Sequence, residues 1–108
     1  MNDILNMLYN IIINRVEEPS KNSYTRYLFD SGLNKILKKC GEECSEVIIA
    51  AKDGNTEDIK QEVCDLIYHL MVMLAFKGIT PEEIGEIIIE RSQKKDNLKE
   101  ARVTDTNC

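Results

Sequence analysis

Residues 33–76 read LNKILKKCGEECSEVIIAAKDGNTEDIKQEVCDLIYHLMVMLAF. In the first half, Leu33, Ile36, Leu37, Cys40, Cys44, Val47, Ile48 and Ala51 recur at helical spacing and form one apolar stripe. Asp53-Gly54-Asn55 ends that helix, because glycine readily takes the left-handed conformation that closes helices. Thr56, with Glu57 and Asp58 behind it, supplies a cap and an acidic first turn for the next helix. So short a turn makes the two helices antiparallel neighbours. The second, over about 57–76, becomes apolar on nearly every face after Val63, which requires a central position or burial between subunits.

Outward from this hairpin, Ile4, Leu5, Leu8, Ile11, Ile12 and Val16 predict an amphipathic helix at the start of the chain. Pro19 disfavours helix at Glu18, and the small polar residues around it predict a loop leading to Ser23-Tyr24-Thr25. On the other side, Gly78 ends the central helix. Thr80-Pro81-Glu82-Glu83 then starts another, with a cap residue, proline at the first helical position and a glutamate three residues after the cap. Ile84, Ile87, Ile88 and Arg91 continue it, and beyond about residue 96 a mobile polar tail is expected. The expected fold is all-α: a single domain over 1–108 forming a four- to five-helix bundle.

Composition narrows the function. A hydrophobic content of 43% suits a packed core, and a formal net charge of −5 argues against a broad nucleic-acid footprint. Asp65 and His69 interrupt the longest apolar run before it reaches the ~18 residues of a membrane span. The first residues lack the basic start and apolar stretch of a secretion signal, so a cytoplasmic setting is expected, with the cysteines at 40, 44, 64 and 108 reduced. Cys40, Cys44 and Cys64 read as small core residues rather than zinc ligands.

The chemistry lies in Glu42-Glu43-x-x-Glu46 on one helix of the hairpin and Glu62-x-x-Asp65 on the other. Three residues nearly complete a helical turn, so Glu43 and Glu46 share a face, as do Glu62 and Asp65. Positions equally far from Gly54 face each other across the hairpin, which lets four carboxylates converge. Taken alone, Glu-Glu-x-x-Glu is more often an ordinary solvated face. The second pair alters that balance, because it opens an otherwise apolar helix where unpaired carboxylates are poorly tolerated. Converging carboxylates call for a cation, and hard oxygen donors suit Mg²⁺ or Mn²⁺ with a phosphate-bearing substrate.

These motifs, with Ser23-Tyr24-Thr25, Lys35-Ile36-Leu37-Lys38-Lys39-Cys40-Gly41-Glu42-Glu43 and Glu62-Val63-Cys64-Asp65-Leu66-Ile67-Tyr68-His69-Leu70, resemble the all-α nucleotide pyrophosphatases. Within that superfamily the chain is similar to the phosphoribosyl-ATP pyrophosphatase family over nearly its whole length. The resemblance implies hydrolysis of phosphoribosyl-ATP to phosphoribosyl-AMP and pyrophosphate, the second step of histidine biosynthesis. It implies Glu43, Glu46, Glu62 and Asp65 as metal ligands, and Glu42 as a further ligand or the group that orients and deprotonates water. It also implies a homodimer, in agreement with a helix too apolar for four helices to cover. Cys44 and Cys64 stand where the family often has alanine, a change small enough to leave the fold intact.

Lys39 and Arg91 are candidate substrate contacts, weighed against surface ion pairs; Lys35 and Lys52 accompany them. Ser23 and Thr25 are candidates for phosphate or ribose, with a turn or helix cap at least as good an account. His69, one turn beyond Asp65, reads better as a hydrogen-bonded core histidine than as a ligand. Two other functions compete: a housecleaning nucleoside-triphosphate pyrophosphatase using the same carboxylates, and a noncatalytic helical metal-binding or interaction module. A di-iron storage bundle is disfavoured, since the chain contains no Glu-x-x-His.

Overall fold

The computed structural model describes residues 2–18 and 23–94. These form five helices: α1 (Asn2–Glu17), α2 (Tyr24–Ser31), α3 (Leu33–Asp53), α4 (Thr56–Lys77) and α5 (Pro81–Ser92). The described residues contain no strand, in agreement with the all-α expectation. The polar tail expected after residue 96, and the residues around Pro19, lie outside the described residues.

The helix signals act much as read. Gly54 closes α3 at φ 79°, and Thr80 and Glu83 form a reciprocal cap on α5, with Pro81 behind the cap. The cap of α4 is Asn55 rather than Thr56: its side-chain oxygen accepts from the Asp58 N–H at 3.0 Å, and Thr56 is already helical. The amide side chain of Asn55 reaches the second free N–H as well as a threonine would.

Helix α2 was not expected as an element. Its tyrosines, threonine and phenylalanine have modest helix propensity, so local preference does not announce it. It is held by its ends and by burial. The Ser23 side chain accepts from the Arg26 N–H at 3.1 Å, Gly32 stops it at φ 97°, and Thr25 and Leu28 are buried one turn apart. The Arg26 guanidinium also donates to the Val16 carbonyl at 2.6 Å, tying α2 to the end of α1.

The core gathers where the C-terminal half of α4 meets α1, α2 and the start of α3. Ile12, Leu28, Ile36 and Val72 are completely buried, with Met71 and Leu74 nearly so. Each side chain of this size contributes about 1.5–3 kcal/mol when withdrawn from water. The rest of the α3–α4 hairpin extends past this core, and Leu37, Ile48 and Ile49 stay about half exposed. Cys44 and Cys64, expected in the core, are exposed. Their stripe is wider than the chain's own helices cover, because α1 and α2 reach only one end of the hairpin. No single helix among the described residues is long and apolar enough to cross a membrane.

Candidate metal centre

Glu43 and Asp65 lie eleven residues either side of Gly54, and Glu46 and Glu62 lie eight. Folding at the glycine therefore sets the two pairs across from each other. One ligand oxygen each from Glu43, Glu62 and Asp65 falls within 4.8 Å of the others. Glu43 and Glu62 are half-buried and Asp65 is exposed, so the cluster has a supported floor and an open side. Glu46 is exposed, one turn from Glu43, and is not one of this trio. It is nevertheless close enough to Glu62 to affect its ionisation.

The charge distribution is uneven. The Lys39 ammonium lies 3.2 Å from Glu42 and 4.0 Å from Glu43. Its hydrogen bond to Glu42 holds that carboxyl below the usual range, and the same bond raises Lys39. Among the described residues no lysine or arginine pairs with Glu46, Glu62 or Asp65. Partial burial, followed by the negative charges of Glu46, Asp65, Glu43 and Asp58, pushes the Glu62 carboxyl up. The half of the cluster on α4 thus has negative charge without a protein cation. Three oxygen donors with one open side fit Mg²⁺ or Mn²⁺, which keeps several waters or phosphate oxygens among its ligands.

Behind the carboxylates is a polar layer. His69 is buried, with Nδ1 2.7 Å from the Asp65 carbonyl and Nε2 3.0 Å from the Tyr24 hydroxyl. This is the hydrogen-bonded core histidine expected from the sequence. The Cys40 thiol, pushed up by burial, donates to the His69 carbonyl at 3.4 Å. Thr25 is buried and bonds to the Tyr68 hydroxyl. Tyr24 and Tyr68 had no place in the sequence-based site. Their signal was faint, because aromatic residues beside a helix cap or in an apolar helix read first as packing.

The remaining candidates are dispersed. Ser23 caps α2, and Thr25 is engaged with Tyr68, so both have a structural occupation. The Lys35 ammonium stands over the Tyr27 ring, 5.8 Å from its centroid. Lys52 lies nine residues beyond Glu43 on α3, roughly 13 Å along the axis at the helical rise. Arg91 is in the last turn of α5, which packs mainly on α1 rather than on the hairpin. The structure brings Lys39, Glu42 and the three clustered carboxylates together, and leaves Lys52 and Arg91 apart from them.

A family model for phosphoribosyl-ATP pyrophosphohydrolase matches residues 5–92, which carry nearly all of the helical body and the whole carboxylate cluster. Relatives named phosphoribosyl-ATP pyrophosphatase agree with it. The protein from Clostridium acetobutylicum is 50% identical over 101 residues, covering 94% of this chain and 92% of its own. That from Clostridium novyi is 47% identical, covering 93% and 91%. That from Bacillus cytotoxicus is 45% identical, covering 98% and 99%. With so much of both chains aligned, this protein belongs to the phosphoribosyl-ATP pyrophosphohydrolase family.

Proposed function

We propose that this chain hydrolyses phosphoribosyl-ATP to phosphoribosyl-AMP and pyrophosphate, the second step of histidine biosynthesis, as a cytoplasmic homodimer that uses Mg²⁺, with Mn²⁺ as a substitute. The observation that carries this reading is the convergence of Glu43, Glu62 and Asp65 within 4.8 Å in a chain of this family. These products require water to break the anhydride between the α- and β-phosphates.

Glu43, Glu62 and Asp65 would hold the cation, with Glu46 as the fourth carboxylate across from Glu62. When bound, the cation offsets charge on the phosphate oxygens and makes the attacking water more acidic. Glu42 orients that water and receives its proton. Its low resting proton affinity follows from Lys39, so moving Lys39 onto a phosphate oxygen restores Glu42 as a base. Lys35 lies one turn before Lys39 and extends the cationic edge, while Lys52, Arg91, Ser23 and Thr25 are weaker candidates for substrate contact.

The homodimer is supported by the uncovered side of the hairpin. Leu37, Cys44, Ile48 and Ala51 recur along one exposed face of α3, and Ile84, Ile87 and Ile88 are about half exposed on α5. A second copy offers matching apolar surface.

Pyrophosphate release from phosphoribosyl-ATP, ATP, dCTP and dUTP, each with Mg²⁺ and with chelator, tests the assignment. Rapid metal-dependent cleavage of phosphoribosyl-ATP alone is expected. Preference for a free nucleotide would make the chain a housecleaning enzyme, and no turnover at all would make it a binding module.

A further inference from the structure

One buried polar group, His69, serves to orient one half-exposed tyrosine, Tyr24. A carbonyl oxygen can only accept, so His69 Nδ1, 2.7 Å from the Asp65 carbonyl, donates to it. In the singly protonated ring with its proton on Nδ1, Nε2 is an acceptor and the Tyr24 hydroxyl at 3.0 Å donates to it. The Tyr24 ring is fixed further by edge contact with His69 and by stacking with Tyr27 and Tyr68. Burial keeps the phenol protonated, and Lys39 and Glu43 are both close enough to act on it electrostatically. The Tyr24 oxygen therefore has its proton committed inward and only lone pairs left for a ligand, beside the carboxylate cluster.

An oxygen with only lone pairs left to offer repels phosphate and attracts a hydroxyl. In the substrate of the proposed reaction, the hydroxyls nearest the scissile phosphates are those of the adenosine ribose, which is joined to the α-phosphate. The second ribosyl group lies beyond the base. We propose that Tyr24 is a specificity-determining residue that accepts a hydrogen bond from the adenosine ribose, and that His69 is the positioning residue that turns the tyrosine oxygen toward it. This inference rests on the proposed activity and adds to it a selection for ribose over deoxyribose.

The test compares phosphoribosyl-ATP with its analogues lacking the 2′- or the 3′-hydroxyl of the adenosine ribose, using wild type, Tyr24→Phe and His69→Asn. One neutral hydrogen bond corresponds to a loss of about 3- to 10-fold in kcat/KM. Wild type should lose this much with one of the two analogues. Tyr24→Phe should lose it with the parent substrate and lose nothing further with that analogue, because the two changes remove the same contact. His69→Asn should behave in the same way, with Mg²⁺ affinity retained in both variants. Multiplying losses in Tyr24→Phe, or full kcat/KM on the parent, would overturn the role of Tyr24 while leaving the activity established. Absence of wild-type turnover on the parent would overturn the activity and this inference together.

Discussion

Lys39 reaches across one turn of α3 to place its ammonium 3.2 Å from the Glu42 carboxylate, at the edge of the carboxylate cluster rather than within it. The pair divides the labour of adjacent acidic residues: Glu43 faces the cluster, while Glu42 is exposed and engaged with a cation. Glu42→Gln should therefore reduce kcat by about 10²- to 10⁴-fold, the range for loss of a positioned base. Calorimetric Mg²⁺ titration should give nearly unchanged affinity. Loss of Mg²⁺ binding in that variant would make Glu42 a ligand instead.

Glu62 should show the opposite balance between function and stability. Its carboxyl is raised in the folded protein, so the native state holds that proton more tightly than the unfolded chain does. Without metal, stability from this group is present below the unfolded value and is lost as pH rises through the folded value. Glu62→Gln should thus melt higher than wild type in chelator at neutral pH, and the advantage should vanish in acid. Adding Mg²⁺ should raise the wild-type midpoint and leave the variant where it was, with hydrolysis abolished. A metal-free variant that melts no higher than wild type at any pH would remove the case for uncompensated charge at this position.

The exposed face of α3 gives a third expectation. Ile48 is 59% exposed in the single chain, so Ile48→Asp costs the isolated subunit little. In a dimer closed over Leu37, Cys44 and Ile48, the same change buries an unpaired charge at the centre of the contact. Sedimentation should give a dimer for wild type and a monomer for Ile48→Asp, with helix content preserved. A dimer in both would move the interface elsewhere, with the isoleucines of α5 as the next surface to substitute.

The sequence made the hairpin legible for a physical reason: periodicity, the left-handed glycine and the mirrored carboxylates all report on the same two helices. Glu43 with Asp65, and Glu46 with Glu62, could be paired by their distance from Gly54, although Glu46 is not one of the clustered trio. Helix α2 could not be read as easily, because it depends on contacts from Arg26 to α1 and from Thr25 to α4 that are distant in sequence. His69 was legible as a hydrogen-bonded core histidine, but its partner Tyr24 was hidden for the same reason, since 45 residues separate the two. Cys44 and Cys64, expected in the core, are exposed because an apolar stripe does not record how far along it the neighbouring helices reach.

Those cysteines supply a check on the packing that needs no substrate. In the single chain Cys44 and Cys64 are exposed, while Cys40 is half-buried, its thiol is raised by burial and its proton is donated to the His69 carbonyl at 3.4 Å. Thiolate is the reactive form, so Cys40 should be alkylated last. In the Ile48→Asp monomer, mass mapping after brief iodoacetamide treatment should find Cys44 and Cys64 modified well ahead of Cys40. If wild type dimerises as proposed, Cys44 should slow toward the rate of Cys40, because it lies one turn from Ile48 on the face assigned to the second subunit. Equal rates for Cys44 in the two proteins would place the dimer contact away from this face of α3, and early modification of Cys40 would mean that the layer behind the carboxylates opens more readily than its hydrogen bonds imply.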